Sequence, residues 1–398
     1  MKKRALVHGR SNIPAQASSP IGKDFDPRGY RRGLGATNKY TRKFLNDPDA
    51  KRRMEDEGIG YSTTGLVAQI REKNFAHTEE GVTIKLADSY GFCWGVERAV
   101  QMCYEARKQY PTKEIWITNE IIHNPTVNMR LSEMGVNFIQ ETDGVKNFNP
   151  VKSESVVILP AFGASIDEMK LLADIGVMIV DTTCPWVSRV WNSVDRHARK
   201  QFTSIIHGKF EHEETIATAS FAKTYLVVKD IKEARWVCDY ILNRGATKTE
   251  FIRKFENAHS DGFDPVKDLD AVGVANQTTM LKGETEAIGK LFERTMMEKY
   301  GVQNLGKHYF ATNTICGATQ ERQDAIRKLI DEKPDIMIIV GGFNSSNTSH
   351  LQEISEVAYI PSYWVDTADR IDTESNRISW RTSCGEVRET RTGYHKTV

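Results

Sequence analysis

From Val82 onward, short apolar runs rich in Val and Ile alternate with stretches whose apolar residues recur at helical spacing. The runs at 83–87, 115–118, 155–159, 177–181, 203–207, 225–228, 271–275 and 335–341 predict strands. Between the first two, Val96, Ala99, Val100, Cys103 and Tyr104 fall at i, i+3, i+4, i+7 and i+8, which predicts one apolar helix face. Strands that are apolar throughout must be covered on both faces. The alternation therefore predicts an α/β fold of mainly parallel sheets with helices on either side. Residues 1–80 mix charge, Gly and Pro with little periodicity beyond a predicted helix at 64–73, and read as an extension that precedes or wraps the core.

Three cysteines share one context. Asp88-Ser-Tyr-Gly-Phe-Cys93, Asp181-Thr-Thr-Cys184 and Asn313-Thr-Ile-Cys316 each end or closely follow a strand and open a helix. Their spacing divides the chain into an N-terminal extension (1–80) and three small α/β units, 81–184, 185–312 and 313–398. Units arranged pseudo-threefold about a common centre would bring the three thiols together.

Charge narrows the class of partner. The 398 residues carry 54 Lys and Arg against 53 Asp and Glu, so no global field favours nucleic acid or an anionic membrane. Residues 1–50 are the exception, with eleven basic residues against four acidic. Met1 to Pro20 has four basic and no acidic residues and no apolar core, a composition that suits an organelle transit segment or a disordered tail. No apolar stretch approaches the roughly 18 residues of a membrane span. Six cysteines without a CxxC pair predict reduced thiols, and the Asn-x-Ser/Thr matches at Asn276, Asn344 and Asn347 read as chance.

A cysteine at a helix N-terminus faces unpaired N–H groups and tends toward thiolate, the form that ligates metal. Cys93, Cys184 and Cys316 are therefore the candidate ligands. Cys103 and Cys238, on helical apolar stripes, predict buried small hydrophobes, and Cys384, in a polar tail, is expected to be idle. Three thiolates are an odd zinc set but would leave an iron–sulfur cubane with one open iron. His212-Glu-Glu-Thr-Ile216 is not a zinc-protease motif, since its fifth residue is Ile.

A second constellation is directed at anions. Gly341-Gly-Phe-Asn-Ser-Ser-Asn-Thr-Ser-His350 links a strand to a helix, so its amides and hydroxyls converge where a phosphate would sit. No GxxxxGK[ST] or GxGxxG accompanies it. His123 and His212 lie in loops where an imidazole could grip an oxyanion, Glu214 is a candidate proton carrier, and Gln277-Thr278-Thr279 offers hydroxyl relays. His8, His197, His259 and His395 are expected at the surface.

Gly91-Phe-Cys-Trp-Gly-Val96, Ile122-His-Asn-Pro125, Asp181-Thr-Thr-Cys-Pro185, His212-Glu-Glu214, Asn276-Gln-Thr-Thr279, Thr314-Ile-Cys316 with Ala318-Thr-Gln320, and Asn344-Ser-Ser-Asn347, in that order, strongly resemble the 4-hydroxy-3-methylbut-2-enyl diphosphate reductase (LytB) family. Pro160-Ala-Phe-Gly163 and Trp186-Val-Ser188 resemble its cyanobacterial and plastid branch, other bacterial relatives usually carrying His where Phe162 stands. The resemblance implies reductive loss of an allylic hydroxyl to give isopentenyl and dimethylallyl diphosphates, the last step of the methylerythritol phosphate route to isoprenoids. It implies one [4Fe–4S] cluster per chain on Cys93, Cys184 and Cys316, with one open iron. It further implies diphosphate binding by His123, His212, Gln277, Thr278, Ser345, Ser346 and Asn347, and catalysis by Glu214, Thr278 and His212. The implied partners are the small diphosphate substrate and a ferredoxin-like or flavodoxin-like electron donor, with no nucleic acid, no membrane, and a homodimer left open. The implied location is the plastid (chloroplast stroma), or the cytoplasm if the source is a cyanobacterium.

One departure stands out. Family members continue past the region of Gly385-Glu-Val387 through another strand to a Gly-Ala-Ser-Thr-Pro-like loop, whereas this sequence ends Thr392-Gly-Tyr-His-Lys-Thr-Val398. The third unit is therefore expected to lack its final strand, loop and helix, leaving a sheet edge and apolar surface uncovered. Two other readings use the same thiols and anion loop: a zinc-dependent hydrolase of a phosphorylated metabolite, and a catalytically impaired phosphometabolite-binding homologue.

Overall fold

The structure, a computed structural model, describes residues 25–60, 65–142, 144–312 and 314–391. In chain order the strands are Tyr40–Thr41 (β1), Ala76–Glu79 (β2), Val82–Lys85 (β3), Ile115–Ile117 (β4), Val136–Phe138 (β5), Glu141–Thr142 (β6), Val145–Lys146 (β7), Val156–Leu159 (β8), Met178–Asp181 (β9), Thr203–His207 (β10), Tyr225–Val228 (β11), Val272–Asn276 (β12), Tyr309–Ala311 (β13), Met337–Val340 (β14), Ser362–Val365 (β15), Ile371–Asp372 (β16), Arg377–Arg381 (β17) and Val387–Arg391 (β18). They form three sheets of four or five strands and two two-stranded hairpins, β2-β3 and β6-β7. The first has the order β1-β9-β8-β4-β5 and the second β11-β10-β12-β13, both wholly parallel. In the third, β14 and β15 are parallel and β16 to β18 antiparallel.

Continuous apolar runs became central strands. Ile115, Ile117, Val156, Val157, Ile158 and Leu159 have no exposed surface, each such side chain contributing about 1.5–3 kcal/mol of transfer free energy. Seven of the eight predicted strands lie in these sheets, within two residues of their expected bounds. The first does not. Residues 82–85 pair with β2 in a separate hairpin and are exposed along their whole length. Periodicity also missed β5, β13, β15 and the 371–391 strands, which are short or carry polar residues at alternate positions.

The extension is more ordered than its composition predicts. Helices Pro27–Gly35 and Pro48–Asp56 each start with an Asp N-cap, Asp26 and Asp47, followed by Pro. Few of their side chains are buried, so the apolar stripe that would have announced them is thin. The predicted helix at 64–73 is found as Gly65–Glu72, and β1 joins the first sheet beside β9. The suggested transit segment at 1–20, with His8 and His395, lies outside the described residues.

Two of the four histidines expected at the surface are corrected. His197 is fully buried on helix Pro185–Arg199, its Nδ1 3.0 Å from Ser204 Oγ, and burial holds its pKa down to about 4. It continues the inward stripe of Val187, Val190 and Val194. His259 is half-buried and stacked on Phe263, with 5.4 Å between ring centroids.

In the third sheet β17 pairs with β15 at Trp364 and Arg381, so the antiparallel strands cover that edge. At the opposite edge β14 has no partner beyond β15 among the described residues. Its outward side chains Ile338 and Val340, with Ile336, are 46%, 70% and 48% exposed, which leaves an apolar strip at this edge. Among the described residues no helix is long and apolar enough to cross a membrane.

Candidate active site

Cys93, Cys184 and Cys316 are the N-cap residues of helices Trp94–Gln109, Pro185–Arg199 and Gly317–Asp331, and none of the three side chains caps its own helix. The backbone amides of Trp186 and Val187 pull the Cys184 thiol down, and those of Ala318 and Thr319 pull Cys316 down. Burial nevertheless pushes the Cys184 thiol up to about 12, with Cys93 and Cys316 adding to the rise, and burial followed by Cys93 raises Cys316. Cys93 and Cys316 therefore lie within electrostatic reach of Cys184. A methyl on Gly95 would lie 2.5 Å from Cys184 Sγ and 3.9 Å from Cys93 Sγ, so the absence of a side chain there keeps the space between the thiols open. Cys103 and Cys238 are buried in hydrophobic clusters, as expected.

Glu214 lies in the first turn of helix Glu213–Ala219 and is 2% exposed. Its Oε1 accepts from Thr278 N at 2.5 Å and its Oε2 from Thr278 Oγ1 at 2.8 Å. Burial pushes its pKa up to about 7 against the pull of those two hydrogen bonds and of His123. It is therefore poised to hold or release a proton near neutrality.

His212 is the N-cap of the same helix: its Nδ1 accepts from Glu214 N at 3.1 Å. Burial, with His123 and Lys209, lowers its pKa to about 3, so the ring is neutral and its proton sits on Nε2. That buried Nε2 makes no hydrogen bond within the protein, nor do His123 Nε2 and Asn347 Oδ1. The two rings meet edge to face at 5.4 Å. Phe162 stacks on His123 at 4.9 Å and 10°, packing one face of the imidazole with a ring that cannot donate a hydrogen bond.

The anion loop comes from the third unit. Helix Ser346–Val357 points its N-terminus at the site, with Ser345 as N-cap accepting from Thr348 N at 3.2 Å. Gly342 packs against the carbonyl of His123 so closely that a methyl there would collide with it. Gln277 ties the second unit to the third: its Oε1 accepts from Lys209 N and Thr215 Oγ1, and its Nε2 donates to Thr279 Oγ1 (2.7 Å) and Ser346 Oγ (3.1 Å). Through these bonds Gln277 acts as a strut that holds Ser346 beside the second sheet.

Several residues were not foreseen. Glu120 Oε2 lies 2.9 Å from His123 Nδ1, and Glu213 Oε2 3.8 Å from its Nε2, so two carboxylates flank the ring. A glutamate three residues before a loop histidine was the available signal. Lys209, Arg381 and Ser383 share with Asn344, Ser345, Ser346 and Ser349 a pocket of about 170 Å³. Cys384 lines it too, exposed at the rim rather than remote from the site.

Fold and site together define an α/β protein with three cysteines at helix starts and a polar pocket between Lys209, the 344–349 helix start and Arg381. The chain belongs to the LytB protein family, whose model matches residues 84–387. It is 55% identical over 389 residues to the chloroplastic 4-hydroxy-3-methylbut-2-enyl diphosphate reductase of Botryococcus braunii, spanning 96% of this chain and 77% of that protein. To the 4-hydroxy-3-methylbut-2-enyl diphosphate reductase of Crocosphaera subtropica it is 59% identical over 347 residues, 87% of this chain and 85% of the relative. The fold matches the solved E-1-hydroxy-2-methyl-but-2-enyl-4-diphosphate reductase of Plasmodium falciparum with a TM-score of 0.55 at 23% identity, over 72% of this chain and 77% of that one.

Proposed function

We propose that the chain reduces 4-hydroxy-3-methylbut-2-enyl diphosphate to isopentenyl and dimethylallyl diphosphates, consuming two electrons and two protons and releasing the allylic hydroxyl as water. The identity to reductases of that name over most of the chain supports the substrate. The observation that carries the chemistry is that the Cys184 amide donates to Ala161 O and the next residue, Phe162, stacks on His123, which links a helix-start thiol to the group of His123, His212 and the near-neutral Glu214.

The donor set fits a [4Fe–4S] cluster held by Cys93, Cys184 and Cys316: the ligands are soft and number three, and Gly95 leaves room between two of them. When bound, such a cluster supplies electrons one at a time and a Lewis-acidic open iron. The protein's own residues do the rest. His212 Nε2–H donates to a diphosphate oxygen, with His123 beside it, and Ser345, Ser346 and Asn347 receive the phosphates at the positive end of their helix. Glu214 delivers a proton toward the departing hydroxyl, and Thr278, bonded to both its oxygens, aims the carboxyl group. A ferredoxin-like or flavodoxin-like protein supplies the electrons, in a plastid or a cyanobacterial cytoplasm.

Anaerobic purification tests the reading. A brown protein whose visible spectrum changes on adding the diphosphate supports it, whereas a colourless one with stoichiometric zinc supports a hydrolase.

A further inference from the structure

Asp181 ends β9 three residues before Cys184 and has no exposed surface. Its partners come from the N-terminal extension. Tyr40 Oη and Arg31 Nη2 donate to its Oδ2, the latter at 2.7 Å, and Arg42 Nε lies 3.3 Å from the same oxygen. Its Oδ1 accepts from Thr183 N at 2.9 Å. The turn itself is gripped as well: Arg42 Nη2 donates to Thr183 O at 3.2 Å and to Ser188 Oγ at 3.0 Å. Arg98, on the helix that follows Cys93, donates to Thr182 O at 3.2 Å and to Arg42 O at 3.1 Å. Pairing of β1 with β9, Tyr40 opposite Ile179 and Thr41 opposite Val180, fixes the register of the whole arrangement.

Three guanidiniums and one carboxylate thus surround residues 181–184, an excess of positive charge in partly buried surroundings. We infer that the segment 31–42 is part of the cofactor centre, where it positions the Cys184 turn and raises the reduction potential of the iron–sulfur group. The inference rests on the reading that Cys184 ligates that group. Reduction adds negative charge, and net charge and hydrogen bonding around a cluster set its potential. Fixed positive charge held out of bulk water interacts with it more strongly than the same charge in solvent. Asp181 moderates the effect by neutralising one guanidinium. Arg31, Tyr40, Arg42 and Asp181 are positioning residues here, since their bonds reach Cys184 only through its turn.

The test compares Arg42→Gln, Arg42→Lys and Asp181→Asn in the full chain, reconstituted anaerobically, by iron content and a redox titration followed by electron paramagnetic resonance. Arg42 is partly exposed, so its two variants should fold. Arg42→Gln is expected to shift the midpoint potential to more negative values, Arg42→Lys to stay near the parent, and Asp181→Asn to shift it to more positive values. If the two Arg42 variants shift equally or not at all, the charge argument is overturned even should Asp181→Asn fail to fold. A parent chain that takes up no iron would overturn the cofactor reading itself, and with it this inference.

Discussion

Thr278 holds both oxygens of the Glu214 carboxylate, one through its amide and one through its hydroxyl, at 2.5 and 2.8 Å. The pair joins the turn after β12 to the first turn of helix Glu213–Ala219, so a buried acid is fixed in direction while burial pushes its pKa up to about 7. Binding and proton supply are thereby separable.

Glu214→Gln is expected to keep the substrate-induced change in the visible spectrum while lowering turnover by about two orders of magnitude. Parent activity should fall as the pH rises through 7, where the acid form is lost. The same shift has a stability consequence. The folded protein binds this proton more tightly than the unfolded chain, so the contribution of Glu214 to stability falls as pH rises from the ordinary glutamate range through 7. Glu214→Gln should therefore melt no lower than the parent at pH 8, measured by thermal denaturation.

Gly95→Ala should do the reverse of what helix propensity dictates. In an exposed helix the change stabilises by about 1 kcal/mol. Here the added methyl would sit 2.5 Å from Cys184 Sγ, so iron content after anaerobic reconstitution should drop sharply with the fold intact by circular dichroism.

Replacing Cys93, Cys184 or Cys316 by Ser should each remove most of the iron, because a cubane that loses one of three protein ligands falls apart. Cys103→Ser and Cys238→Ser should not, since both side chains pack in hydrophobic clusters away from the site. Iron determination on the five variants checks the assignment, and equal loss in all five would defeat it.

Asp181 carries the opposite linkage. Burial alone would raise its pKa, yet Arg31 and Arg42, with hydrogen bonds from Thr183 and Tyr40, hold it well below the usual carboxylate range. Its contribution is present above the unfolded pKa and lost as the pH falls through the folded one. Asp181→Ala, which leaves the guanidiniums facing a vacated site, should cost about 3–5 kcal/mol in chemical denaturation at pH 7.

The sequence made the cysteines legible because all three repeat one local device, a strand or turn leading into a helix N-terminus, and local devices are written in consecutive residues. The anion loop at 341–350 was readable for the same reason. The bond from Gln277 to Ser346 leaves no such trace, because a polar residue after a strand does not announce a partner 69 positions away. The extension was read as irregular because Arg31, Tyr40 and Arg42 act through a carboxylate about 140 to 150 residues distant, and such a partnership leaves no periodic trace. His197 was misplaced because one polar residue on an apolar stripe carries little weight until its partner Ser204 is seen.

The central claim is tested most directly by incubating the anaerobically prepared, iron-loaded chain with 4-hydroxy-3-methylbut-2-enyl diphosphate and a reduced one-electron donor, and counting products against electrons. The account expects isopentenyl and dimethylallyl diphosphates together, at two electrons per product molecule. Tight binding of the diphosphate to an iron-loaded chain with no product formed would contradict it, and would mark the chain as a phosphometabolite-binding homologue.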